Sequence, residues 1–242
     1  MIVIQFFLEC LALWFNAWMT RRVGAATVGT LALAGSFFNL AAMVAGGNAM
    51  LCASRFVSEE LGKPCGCPAR VLRHGISFCM MLSLPVTAGV CIFAQPLSQQ
   101  FLQSDSMAHA VRLMALLLPL GSLSACLKGY FNAVCRVTVT AACDVAEFLL
   151  RAGILTGLLL WRGDIRPEQV CTDLVCSMAC GTLFTAVTLT VLYFQKREPC
   201  GGTCSLSLWR YIRLAVPVAV GGCLTAGLST ANDALIPVTL RQ

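Results

Sequence analysis

Apolar runs of about twenty residues recur along the whole chain, separated by short polar stretches, and each run is long enough to cross roughly 30 Å of hydrocarbon as a helix. The pattern predicts about seven helical spans, over residues 2–19, 27–53, 75–101, 110–134, 136–161, 170–194 and 209–240. Polar loops are expected at 54–74, 103–109, 162–169 and 195–208, with a tight turn at Arg21, Arg22 and Gly24. Gly35, Gly46 and Gly47 make the second span rich in small residues that permit close helix contact. Pro119 and Pro217 predict kinks in spans four and seven.

The fifth span breaks the pattern, because Asp144, Glu147 and Arg151 lie inside it. Helical spacing puts Glu147 and Arg151 one turn apart on one face, with Asp144 a turn below. Counted from Arg136 at about 1.5 Å per residue, Glu147 falls near the bilayer midplane. A lone charge at that depth costs at least about 2.5–3.5 kcal/mol, so this face must turn toward protein or water. The remaining helices are expected to be arranged around it, with a polar face built from spans one, two, five and seven.

Composition agrees: 58% of residues are hydrophobic, 12% are charged, and the mean hydropathy is +0.80. That excludes an ordinary soluble domain. The net charge of +6 calls for no nucleic-acid partner, since the basic residues gather in loops. With a cytoplasmic N-terminus, ten Lys and Arg fall inside (Arg55, Lys63, Arg70, Arg73, Lys128, Arg136, Lys196, Arg197, Arg210, Arg213). Four or five fall outside: Arg21, Arg22, Arg162, Arg166 and the borderline Arg112. Most of the fifteen cysteines sit in apolar spans at irregular spacing, as small hydrophobes and not as a disulfide framework. The start has no basic segment, and Glu9 interrupts its apolar run, so it reads as a span entered partway along and not as a signal peptide.

Five stretches carry a resemblance: Gly24-Ala-Ala-Thr-Val-Gly29, the segment from Gly46 through Arg55, Glu59 and Glu60 to Lys63, Leu127-Lys-Gly-Tyr-Phe131, Glu147-Phe-Leu-Leu-Arg151, and Asp233-Ala-Leu-Ile-Pro237. Their order and spacing resemble the oligosaccharide flippases related to stage V sporulation protein B. These belong to the multidrug/oligosaccharidyl-lipid/polysaccharide flippase superfamily, with the MATE exporters. The resemblance implies an all-α polytopic bundle in a bacterial plasma membrane. Residues 1–208 would form one six-helix MATE-like lobe, and residues 209–242 the first helix of a second lobe, supplied by further chain or by a partner. It implies alternating access for a lipid-linked sugar or an amphiphilic small molecule, coupled to H+ or Na+.

The candidate pathway residues are Glu9, Asn16, Arg55, Asp144, Glu147, Arg151 and Asp233. Arg151 suits a phosphate and Glu147 a proton, and the same two side chains can instead form a buried pair that fixes helix rotation. Asp144, nearer the inner surface, reads as solvated. Glu9 and Asn16 share a face of span one, as cavity lining or as interhelical hydrogen bonds. Arg55 and Glu59 are a turn apart at the inner end of span two, as an interfacial clamp or a gating pair. Cys65, Cys67, Cys200 and Cys204 could in principle hold zinc, but the one-residue spacing of Cys65 and Cys67 is not the usual two to four and the chain is cysteine-rich throughout, so neither a metal nor a cofactor is expected. No catalytic constellation is present, so the chain reads as a transporter and not an enzyme. The alternatives are a MATE-type cation-coupled exporter, and a non-transporting scaffold or truncated remnant.

Overall fold

The computed structural model describes residues 2–63, 66–93, 108–162, 167–196 and 208–239, with side chains described at most of these positions. Eight helices are described: α1 (Ile2–Val23), α2 (Ala25–Gly46), α3 (Ala49–Leu61), α4 (Pro68–Ile92), α5 (Ala108–Ala133), α6 (Val137–Arg162), α7 (Pro167–Lys196) and α8 (Leu208–Thr239). The protein is an all-α membrane helix bundle. Among the described residues five stretches are long and apolar enough to cross a bilayer: Phe38–Leu61, Pro68–Ile92, Val111–Ala133, Thr172–Gln195 and Leu208–Thr230. Large apolar side chains such as Phe6, Trp14, Met81, Leu116, Leu149 and Leu228 stand exposed on its outside, as a lipid-facing surface requires.

Two expectations change at the second span. It is one rod in two pieces, because Gly47 (φ 52°, ψ 36°) and Asn48 (φ 55°, ψ 41°) both adopt the left-handed conformation between α2 and α3. Irregular backbone at membrane depth survives only where protein or water satisfies it. Here thiols do so: Cys79 donates to the Gly46 carbonyl at 3.5 Å and Cys52 to that of Gly47 at 3.9 Å. The loop expected at 54–74 also shrinks to a short connection. Residues up to Leu61 continue α3, burying Cys52, Phe56, Val57 and Glu60 while Arg55 and Glu59 stay outside, and Pro68 starts α4 at its first turn. The boundary expected near residue 101 for span three lies outside the described residues.

Helix α5 occupies the middle and packs against α2, α3, α4, α6 and α7. Gly129 permits the closest approach: a Cβ there would lie 2.5 Å from the Met50 carbonyl oxygen and 2.8 Å from the Ala53 Cβ of α3. The helix continues through Pro119, as α4 does through Pro85. Helix α8 packs on α2, α3 and α4, with Tyr211 fully buried against Phe56 (ring centroids 4.8 Å apart) and Phe78 (6.1 Å).

Beside a small cluster of Ala41, Ala45 and Leu118 between α2 and α5, the core has two larger levels. One gathers Phe56, Leu72, Leu127, Tyr130, Phe131, Cys143, Leu189 and Tyr211, and the other Met19, Met114, Leu155, Val170 and Val175. On α6 the first level touches Cys143 and the second Leu155, so Asp144, Glu147 and Arg151 lie between them. One cysteine departs from the expectation of small hydrophobes: Cys67, buried at the start of α4, is disulfide-bonded.

Candidate functional site

Three turns of α6 present their polar side chains to α5, α7 and α1. Lys128 of α5 reaches Asp144 at 2.6 Å and Glu147 at 3.5 Å. Glu147 uses its two oxygens differently. Oε1 takes the Arg151 guanidinium, while Oε2 accepts from Thr185 of α7 at 2.9 Å and faces Lys128. Arg151 Nη2 also donates to Thr182 Oγ1 at 3.3 Å. Glu147 is the most enclosed member, at 14% side-chain exposure against 34% for Arg151 and 35% for Asp144.

Gly181 of α7 sets the path of Arg151. A Cβ at that position would lie 2.7 Å from both Cγ and Nε of the arginine, so the stem crosses the helix where there is no side chain. The same crossing leaves Arg151 Nε buried without a hydrogen-bond partner. Arg151 is therefore held in place and left short of one bond, which is unusual for a guanidinium away from water.

Beside this network, α1 and α6 form an open cleft of about 230 Å³ lined by Leu8, Glu9, Ala12, Asp144, Glu147, Phe148 and Arg151. The charged face of α6 thus opens onto a cleft, while Leu149 and Leu160 of the same helix face outward. Glu9 is exposed within α1 and accepts from Gln5 at 3.4 Å. With Lys128 and Arg151 against Glu9, Asp144 and Glu147, the ensemble holds two cationic and three anionic groups. Among the described residues no group of three or more His, Cys, Asp or Glu is placed to hold a metal.

The structure brings together Glu9, Asp144, Glu147 and Arg151. Asn16 is exposed one turn from the α1 anchor Met19, and its carbonyl accepts from Thr20. Arg55 pairs with Glu59 at 3.3 Å on the exposed face of α3, away from the cavity. Asp233 lies on α8, and its side chain is outside the described residues. Asp144 is not merely solvated: it holds Lys128. Among the described residues the bonds of this network run among spans four, five and six with span one alongside. Lys128 is the member that sequence reasoning misplaced, by counting it with the inner-loop charges. Its signal was available, since Lys128 is followed by Gly-Tyr-Phe and lies inside an apolar run.

Residues 1–221 match the family described as polysaccharide biosynthesis protein. No curated protein matches the chain. The match covers most of the chain, which therefore belongs to the polysaccharide biosynthesis protein family.

Proposed function

We propose that this chain is the N-terminal lobe of a flippase that moves a lipid-linked oligosaccharide or polysaccharide precursor across a bacterial plasma membrane. The observation that carries the reading is the network of Lys128, Asp144, Glu147 and Arg151, sheltered between two apolar levels and open on one side to a cleft. Ionised groups in a transmembrane helix are costly, and where they face a cavity they mark a route for substrate or ions. Membership of a polysaccharide biosynthesis family makes a sugar attached through phosphate to a lipid the substrate class of choice, and Arg151 is the group suited to its phosphates. In this reading the lobe rocks against a second lobe that begins with α8, the N-terminus is cytoplasmic, and H+ or Na+ supplies the drive. The resemblance to stage V sporulation protein B belongs to the same proposal.

One observation favours a rival. The cavity wall carries three carboxylates, Glu9, Asp144 and Glu147, against the single guanidinium of Arg151, which suits a cationic amphiphile and a MATE-type exporter. A vesicle transport assay with a panel of lipid-linked sugars and cationic dyes, with and without a proton or sodium gradient, separates the two. The flippase reading expects movement of the anionic lipids and none of the dyes; movement of dyes alone overturns it.

A further inference from the structure

Arg151 has two tasks in that reading which conflict: it neutralises Glu147, and it must be free to meet a phosphate. Releasing it leaves a carboxylate at membrane depth, and breaking a buried pair by removing one partner is strongly destabilising. The structure provides a way around this. Glu147 Oε1 alone engages Arg151, whereas Oε2 is held by Thr185 at 2.9 Å with Lys128 Nζ at 3.5 Å. Lys128 is itself anchored to Asp144 at 2.6 Å, a contact beside Glu147 that does not involve Arg151. Arg151 has one N–H, Nε, without a partner, and its side chain is one-third exposed at the cleft.

We infer that Lys128, supported by Thr185, is the positioning residue that keeps Glu147 compensated while Arg151 is handed to a pyrophosphate group in the cleft. This rests on the flippase reading above, and it assigns Lys128 an action through Glu147 and not on the ligand. Lys128 and Arg151 are thus unequal cations: one stays and one leaves.

The test measures binding of farnesyl pyrophosphate to the purified chain in detergent, with inorganic pyrophosphate and phosphatidylglycerol vesicles as parallel probes. Lys128→Met is expected to weaken pyrophosphate binding by about tenfold or more, and Lys128→Arg by less than about threefold, since the charge remains. The decisive variant is Lys128→Met with Glu147→Gln, which has no carboxylate left to neutralise. It should return to within about threefold of Glu147→Gln alone. Lys128→Met with Asp144→Asn should stay weak. Where Lys128→Met does not fold, Thr185→Val serves: a loss of about threefold that disappears in the Glu147→Gln background.

Rescue by Asp144→Asn instead, or no rescue by Glu147→Gln, overturns the inference. So does full binding by Lys128→Met while Arg151→Ala abolishes binding. If Arg151→Ala leaves pyrophosphate binding unchanged, the anionic-substrate reading itself fails. Matching variant patterns with farnesyl and inorganic pyrophosphate support a phosphate site, and binding of phosphatidylglycerol alone overturns it.

Discussion

At the residue scale the account turns on how a guanidinium is guided. Arg151 crosses α7 over Gly181, where a Cβ would sit 2.7 Å from its Nε, and it ends at Glu147 and Thr182. Gly181→Ala should therefore displace Arg151 more than it disturbs the helix, since alanine is the better helix former. Pyrophosphate affinity is expected to fall about tenfold with thermal stability changed by less than about 1 kcal/mol. Isothermal titration and a melting curve on one sample check this, and unchanged affinity would remove Gly181 from the site. Sequence spacing alone placed Glu147 and Arg151 on one face, because a helix puts residues four apart together whatever surrounds it. It could not find Thr182, Thr185 or Gly181, whose roles depend on how α7 lies against α6.

At the scale of elements, the break between α2 and α3 is the least expected feature. The glycines at 46 and 47 were legible as small residues, but small residues permit close packing and turns alike. At the turn the carbonyls of both glycines meet neighbouring thiols, weak donors that arrive from α3 and α4. Cys126 of α5 joins them, its sulfur 3.3 Å from that of Cys79. Some of the cysteines that read as small hydrophobes are thus hydrogen-bond donors to freed carbonyls. Gly47→Ala meets two obstacles, a left-handed φ of 52° and a Cβ 3.0 Å from Leu82 Cδ2. It should cost about 1–2 kcal/mol from the backbone alone and more from the contact. Thermal unfolding in detergent reads the loss, and an unshifted midpoint would show that the break is not fixed by this position.

At the scale of the whole molecule, the helical repeat was legible because its length is set by bilayer thickness, whatever the fold, and among the described residues five of the seven expected spans are long and apolar enough to cross. Which faces meet was not legible, since lipid tails and helix interiors are equally apolar and a hydropathy pattern cannot tell them apart. Only the charges of α6 betrayed an inward face, and α5, α7 and α1 supply what covers it. The most direct test of the central claim is the flux of a pyrophosphate-linked lipid sugar through vesicles carrying the full reading frame with Arg151→Ala. The account predicts loss of movement with insertion and stability retained, and flux equal to that of the unaltered protein would contradict it.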